Sequence, residues 1–160
     1  MHYVIVDKME KMNSERELID KGVNFELIPL SQTVHTVQDV QVACQCEASE
    51  VIKTLVFVGS NPIVVIIPGD KRANIAKIEG LTGERGLRMA KPAEVMLLTG
   101  YGVGSVSPFG IDTAIKQVAD NSILALSSLF FGSGKSDVLI KISQIEFGKS
   151  YRGTFASISD

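Results

Sequence analysis

The 160-residue sequence contains no tryptophan, and aromatic residues make up only 6% of it, so a core has to be built mainly from Val, Ile, Leu and Ala. It has no basic excess either: 16 Lys and Arg stand against 18 Asp and Glu, a net charge of −2. A broad phosphate-gripping surface for duplex nucleic acid is therefore not expected, although a local pocket for one phosphate or a strand tip stays open. Only two cysteines occur, Cys44 and Cys46, one residue apart. An i, i+2 pair in extended chain points to opposite faces and suits a disulfide poorly, so buried free thiols and a reducing compartment are expected. No His/Cys/carboxylate cluster suggests a metal, and no metal or cofactor is expected. There is no Gly-x-Ser-x-Gly elbow, and with just His2 and His35 a Ser-His-Asp triad would have to rest on His35, which reads instead as a cap-region or surface residue. The opening "MHYVIVDKMEKMNSERELIDKG" carries charge by residue 7 and no long apolar run. It reads as neither a signal peptide nor a membrane span, and the expected location is cytoplasmic, with no membrane and no DNA partner.

What is present is an ordinary globular composition, 45% hydrophobic and 21% charged, in a chain of single-domain length. No internal repeat or linker divides it, so one domain over residues 1–160 is expected. "NSERELIDKG" predicts a helix over 13–22, with Ser14 and Glu17 as a capping box and Gly22 as its end. A strand "NFELIPL" follows, and then a helix in "HTVQDVQVACQ" capped by Thr36 and Asp39. Ser49 and Glu50 predict one further short turn. The strongest strands are "TLVFVGS" and "IVVIIPG", joined at Asn61-Pro62 and apolar enough to be covered on both faces. "DKRANIAKIEGL" predicts a helix with Ile75 and Ile78 inward, and "KPAEVMLLTG" another, with Pro92 in its first turn and Gly100 at its end. Short strands are expected near 117–119, 127–132 and 137–142, followed by a tail that makes a helical turn and frays. The class is α/β, mixed and α+β-like, with a largely antiparallel or mixed sheet.

Three features hold the candidate chemistry. The loop 99–110, "TGYGVGSVSPFG", packs four glycines and a proline around Tyr101 and Phe109, which suits either tight surface bends or a backbone that approaches a ligand closely. No Gly-Lys-Ser/Thr follows it, so it is not a P-loop. "GSGKS" at 132–136 fits a hairpin, and its turn amides are able to form a small anion nest. Lys53 stands between "EVI" and "TLVFV". It either snorkels to water or sits at a pocket rim as a partner for a phosphate or polarised carbonyl, and the residues alone leave both open.

Taken in order, these segments resemble the YbaK/ProX family of aminoacyl-tRNA editing proteins, whose domain also occurs inserted in bacterial prolyl-tRNA synthetases. The matching stretches are "TVQDVQVACQCEASEVIKTLVFV", "VVIIPGD", "LRMAKPAEVMLLTGYGVGSVSPFG" and "ADNSILALSSLFFGSGKSDVLIKIS", which lie within roughly residues 33–145. The resemblance implies a barrel-like mixed β-sheet surrounded by helices. It also implies a trans-editing hydrolase that deacylates mischarged tRNA, Cys- or Ala-tRNA for proline, by binding the acceptor end with its 3′-terminal aminoacyl-adenosine; prolyl-tRNA synthetase is an implied partner. The family's catalytic lysine falls on Lys53. Its substrate-binding loop falls on Thr99, Gly100, Tyr101 and Gly104, then on Ser105, Val106, Ser107, Pro108, Phe109 and Gly110. Its second glycine turn falls on Gly132, Ser133 and Gly134. Two stretches depart from the family pattern: "VQVACQC" replaces the usual alanine pair and leucine-glycine, and "KSDVLI" lacks the histidine that the synthetase-inserted form uses to choose alanine. An aminoacyl ester is already activated, so placement and charge stabilisation suffice without a triad or metal. The alternative is a binding module that recognises an aminoacyl or nucleotide ligand without turnover.

Overall fold

A computed structural model describes residues 13–160. Helix α1 (Asn13–Asp20) ends at Gly22, whose φ of 68° accepts the left-handed turn expected there. The expected Ser14–Glu17 capping box is not what those residues form. Ser14 lies within the helix and is fully buried, and both side chains reach other parts of the chain. Strand β1 (Glu26–Pro29) follows, and then α2 (Val37–Cys44), where Thr36 and Asp39 form the expected reciprocal cap. The amides of His35 and Thr36 donate to the Asp39 carboxylate, and first the His35 amide, with the Thr36 groups behind it, holds that carboxyl below its ordinary range. A 3₁₀ turn (Ala48–Glu50) leads into β2 (Ile52–Val58) and β3 (Ile63–Pro68).

All six residues of β3 are buried, as its unbroken apolar run requires, and each such Val or Ile contributes about 1.5–3 kcal/mol. Helix α3 (Ile75–Thr82) begins five residues later than the sequence suggested, because Asn74 caps it by accepting from the Lys77 amide. That start leaves Ile78 buried but Ile75 exposed, contrary to expectation. Strand β4 (Arg88–Met89), not anticipated, is followed by α4 (Pro92–Thr99), which stops at Gly100 with φ 77°. The remaining elements are β5 (Lys116–Asp120), a 3₁₀ turn (Asn121–Ala125), β6 (Ser128–Gly132), β7 (Val138–Ser143), α5 (Gln144–Ser150) and β8 (Thr154–Ala156). The tail does not fray. After α5 it pairs in parallel with β5, and Ser159 then bridges Ala73.

The strands form two open sheets, β1-β7-β6 and β4-β2-β3-β5-β8, with both parallel and antiparallel neighbours in the second. The mixed α/β class stands. No closed barrel is found among the described residues, so the barrel-like arrangement is not confirmed. The two sheets meet where Val51 bridges Phe130 and share one core on the Ile52–Val56–Ile66 face of β2 and β3. The opposite face, with Phe57, Ile63, Val65 and Ile67, packs under α3. Among the described residues no helix is long and apolar enough to cross a membrane. Cys44 and Cys46 are free and half-buried, and burial pushes the Cys46 thiol up to about 11.

Candidate functional site

β4 reaches β2 only at Phe57 and Val58, so it leaves the first part of that edge of β2 uncovered. A cavity of about 310 Å³ opens along that edge. Its wall is largely apolar: Val34 before α2 and Val40 within it, Met89 of β4 and Ala90 just after it, and Phe130 and Phe131 from β6. The polar lining is His35, Thr36, Lys53 and Thr54. Of the residues expected at a site, Lys53, Gly104, Val106 and Gly132 are on this wall.

The other expected residues form the frame behind it. Thr99 is buried, donates to the Val95 carbonyl at 2.7 Å and accepts from the Tyr101 amide at 3.0 Å, which turns the chain out of α4 past Gly100. Buried Tyr101 spans the loop, its hydroxyl donating to the Phe109 carbonyl at 2.6 Å, and burial pushes that phenol up to about 12. Ser105 closes on the Gly102 carbonyl, the Ser107 hydroxyl accepts from the Phe109 amide, and Gln117 from β5 donates to the Pro108 carbonyl. The Gly110 amide donates to Glu17 of α1 at 2.8 Å, and Ser14 of the same helix donates to the Ser133 carbonyl at 2.5 Å. Ser133 in turn donates to the Val138 carbonyl within its hairpin. Helix α1 thus ties the 99–110 loop to the 132–134 turn, a role that no local pattern in "NSERELIDKG" announces.

The two glycine segments also touch directly. The Gly134 amide donates to the Ser105 carbonyl at 2.9 Å, and Gly134, at φ 103°, packs against the Tyr101 ring where a Cβ would stand 2.8 Å from a ring carbon. With these bonds made, the Gly104 and Val106 amides have no hydrogen-bond acceptor among the described residues.

Lys53 is half-buried. Cross-strand pairing sets it against Ile67, on the α3 side of the sheet, while Ile52, Thr54 and Val56 face the glycine loops. Its ammonium donates to the Lys71 carbonyl at 2.7 Å. Burial, then the neighbouring Arg72 charge, lowers its pKa against the opposing pull of Asp70. Sequence reasoning assigned no role to His35 and Thr54, which the structure puts on the cavity wall. An added Cβ on Gly104 would lie 3.6 Å from the His35 imidazole, so these two residues flank one part of the wall. The Thr54 hydroxyl is buried without a hydrogen-bond partner among the described residues. Leaving such a group unpaired costs about 1–3 kcal/mol, which a bound polar ligand would recover. Its position next to Lys53 in "IKTL" was the available signal.

The fold and this cavity define a mixed α/β domain with a small-molecule-sized pocket between a sheet edge and two joined glycine loops. Comparison with known proteins makes the assignment specific. The chain belongs to the aminoacyl-tRNA editing domain family, whose model matches residues 31–149. It is 32% identical over 114 residues to a proline–tRNA ligase of Thermotoga sp. strain RQ2, covering 71% of this chain and 19% of that protein. A proline–tRNA ligase of Thermosipho melanesiensis is 29% identical over 136 residues, 84% of this chain and 22% of the ligase. The chain thus spans about a fifth of the length of these relatives. Among solved structures, hypothetical protein APE2540 superposes with a TM-score of 0.86 at 29% identity, covering 92% of this chain and 99% of its own. A protein proposed to be a trans-editing enzyme for prolyl-tRNA synthetase superposes with a TM-score of 0.83 at 25% identity, covering 92% and 95%.

Proposed function

We propose that residues 1–160 form one editing domain that acts in trans, hydrolysing Cys- or Ala-tRNA for proline after a synthetase has mischarged it. The observation that carries this reading is the cavity itself: an apolar chamber of about 310 Å³ with the Gly104 and Val106 backbone on its wall beside Lys53 and Thr54. In this mechanism the amino acid enters the apolar chamber. Lys53 holds the phosphate or ribose oxygens of the terminal adenosine. The Gly104 and Val106 amides, which have no acceptor among the described residues, stabilise the oxyanion that develops when a bound water, or a cysteinyl substrate's own thiol, attacks the ester carbonyl. The carbonyl carbon gains the attacking oxygen or sulfur and releases the ribose 3′-oxygen, and the proton lost by the attacking water or thiol passes to that oxygen. Such a scheme asks for placement rather than a strong nucleophile. Net charge −2 fits recognition of the acceptor tip alone, with prolyl-tRNA synthetase as the partner that supplies the mischarged tRNA.

Binding is tested with an adenosine carrying alanine through a 3′-amide, which cannot hydrolyse. Chemical-shift changes concentrated at Gly104, Val106, Gly132 and Thr54 support the pocket assignment, and saturable binding elsewhere refutes it. A module that binds without turnover would take this analogue yet leave the matching ester intact.

A further inference from the structure

Strand geometry does not by itself deliver the Lys53 ammonium to the cavity, because the residue leaves β2 on the face opposite the glycine loops. What fixes its end is the turn at 70–74. The bond to the Lys71 carbonyl is the side chain's one hydrogen bond among the described residues, and the two charges that act on it, Arg72 and Asp70, belong to that turn as well. The turn has little support of its own beyond the Lys71 amide donating to the Pro68 carbonyl. It is held instead by residues 158–160, with Lys77 of α3 also against them.

The clasp is specific. Arg72 and Asp160 exchange amide-to-carbonyl bonds of 3.2 and 2.9 Å, and the Asn74 amide donates to the Ile158 carbonyl at 2.8 Å. The Asn74 side chain donates to the Asp160 carboxylate at 3.0 and 3.1 Å. Residues 158–160 are anchored in turn by Asp120, a carboxylate only 3% exposed. One of its oxygens accepts from the Ile158 amide at 3.1 Å, and the other accepts from the amide and hydroxyl of Ser122. A carboxylate buried to that degree is stable only when its lone pairs are used, so this anchor has little freedom to move.

We infer that residues 158–160, anchored on Asp120, are positioning residues for Lys53: they set the 70–74 turn whose carbonyl and charges place its ammonium. The consequence for deacylation rests on the editing function proposed above; the geometric claim does not. Asp160→Pro removes both the amide that bonds Arg72 and the carboxylate that bonds Asn74, at an exposed position. Asp160→Asn keeps the amide and an oxygen acceptor.

The experiment follows the Lys53 ε-carbon by NMR in lysine-labelled protein, alongside kcat/KM for deacylation. Asp160→Pro is expected to shift the Lys53 resonance and to lower kcat/KM about tenfold, within the loss that a misplacement of about 1 Å produces. Asp160→Asn is expected to restore both, and in a Lys53→Ala background Asp160→Pro is expected to cost nothing further. An unmoved Lys53 resonance in Asp160→Pro overturns the inference, as does an equal loss with and without Lys53. If the unaltered protein deacylates nothing, the editing function falls, and the Lys53 resonance still decides the positioning claim.

Discussion

A methyl group placed on Gly132 would test how closely the two glycine segments are fitted. A Cβ there would stand 2.7 Å from the Val106 carbonyl oxygen and 2.8 Å from that of Ser105, where ordinary contact begins at 3.4 Å. The shortfall, 3.4 less 2.7 or 2.8, is about 0.6–0.7 Å. Both neighbours are backbone, so no side chain can swing away, and the 105–106 segment itself has to retreat. That segment is tied down by the Gly134-to-Ser105 bond behind it and by the Tyr101 and Gln117 bonds further along. Overpacking against a fixed wall costs about 1–3 kcal/mol, which in a domain of this size lowers the melting temperature by roughly 3–10 °C. The same retreat moves the Val106 amide, so Gly132→Ala is expected to lower kcat/KM for deacylation by about tenfold to a hundredfold. Thermal unfolding and single-turnover deacylation measure the two effects. A melting temperature within 1 °C of the original, with unchanged kcat/KM, refutes the claim that the loops are in rigid contact at this point.

Lys53→Ala is expected to lower kcat on the order of 100-fold in steady-state deacylation while leaving melting nearly unchanged, since the side chain is only half-buried. Thr54→Val removes, at constant shape, the buried hydroxyl that has no partner among the described residues; it is expected to hold or raise thermal stability while raising KM, and a fall in stability would show that the hydroxyl is bonded after all. Tyr101→Phe deletes the bond to the Phe109 carbonyl and is expected to cost about 1–3 kcal/mol in urea unfolding at pH 7. Its pH dependence has a definite sign. The folded phenol at about 12 lies above the ordinary 10.0, so its stabilising share is fully present below pH 10 and is lost as pH rises through about 12. Tyr101→Phe therefore flattens the alkaline loss of stability, and an equally steep loss in the variant would contradict the burial of that hydroxyl.

The parts of this fold written in local patterns were legible. The Thr36–Asp39 cap, the β-branched runs of β2 and β3, and the glycine that ends α4 each depend on neighbours in sequence, and each is where its pattern puts it. The failures share a different cause. Ser14 and Glu17 have the spacing of a capping box, but their partners, Ser133 and Gly110, lie in segments distant in sequence. Ile75 reads as an inward position only if its helix starts near residue 70; Asn74 and the chain at 158–160 claim that stretch instead. β4 is two residues long and too short to have a period.

The candidate site divides along the same line. "TGYGVGSVSPFG" and "GSG" announced loops with unusual backbone demands, and the structure joins them. Composition could not reveal that Tyr101, Ser107 and Phe109 serve as the buried frame while Gly104 and Val106 form the wall, because that depends on which side of the loop faces the sheet edge. Lys53 shows the limit most clearly. Its identity stood out in "EVIKTLVFV", yet its direction follows from strand register and its reach from a turn clasped by residues more than a hundred positions later.

The central claim is that this chain removes a mischarged amino acid from tRNA for proline. It is tested most directly by incubating the full chain at micromolar concentration with that tRNA charged separately with cysteine, alanine and proline. The account predicts release of cysteine or alanine well above the spontaneous rate, slower release of proline, and loss of the difference in Lys53→Ala. Release of none of the three, or equal release with and without Lys53, would contradict it.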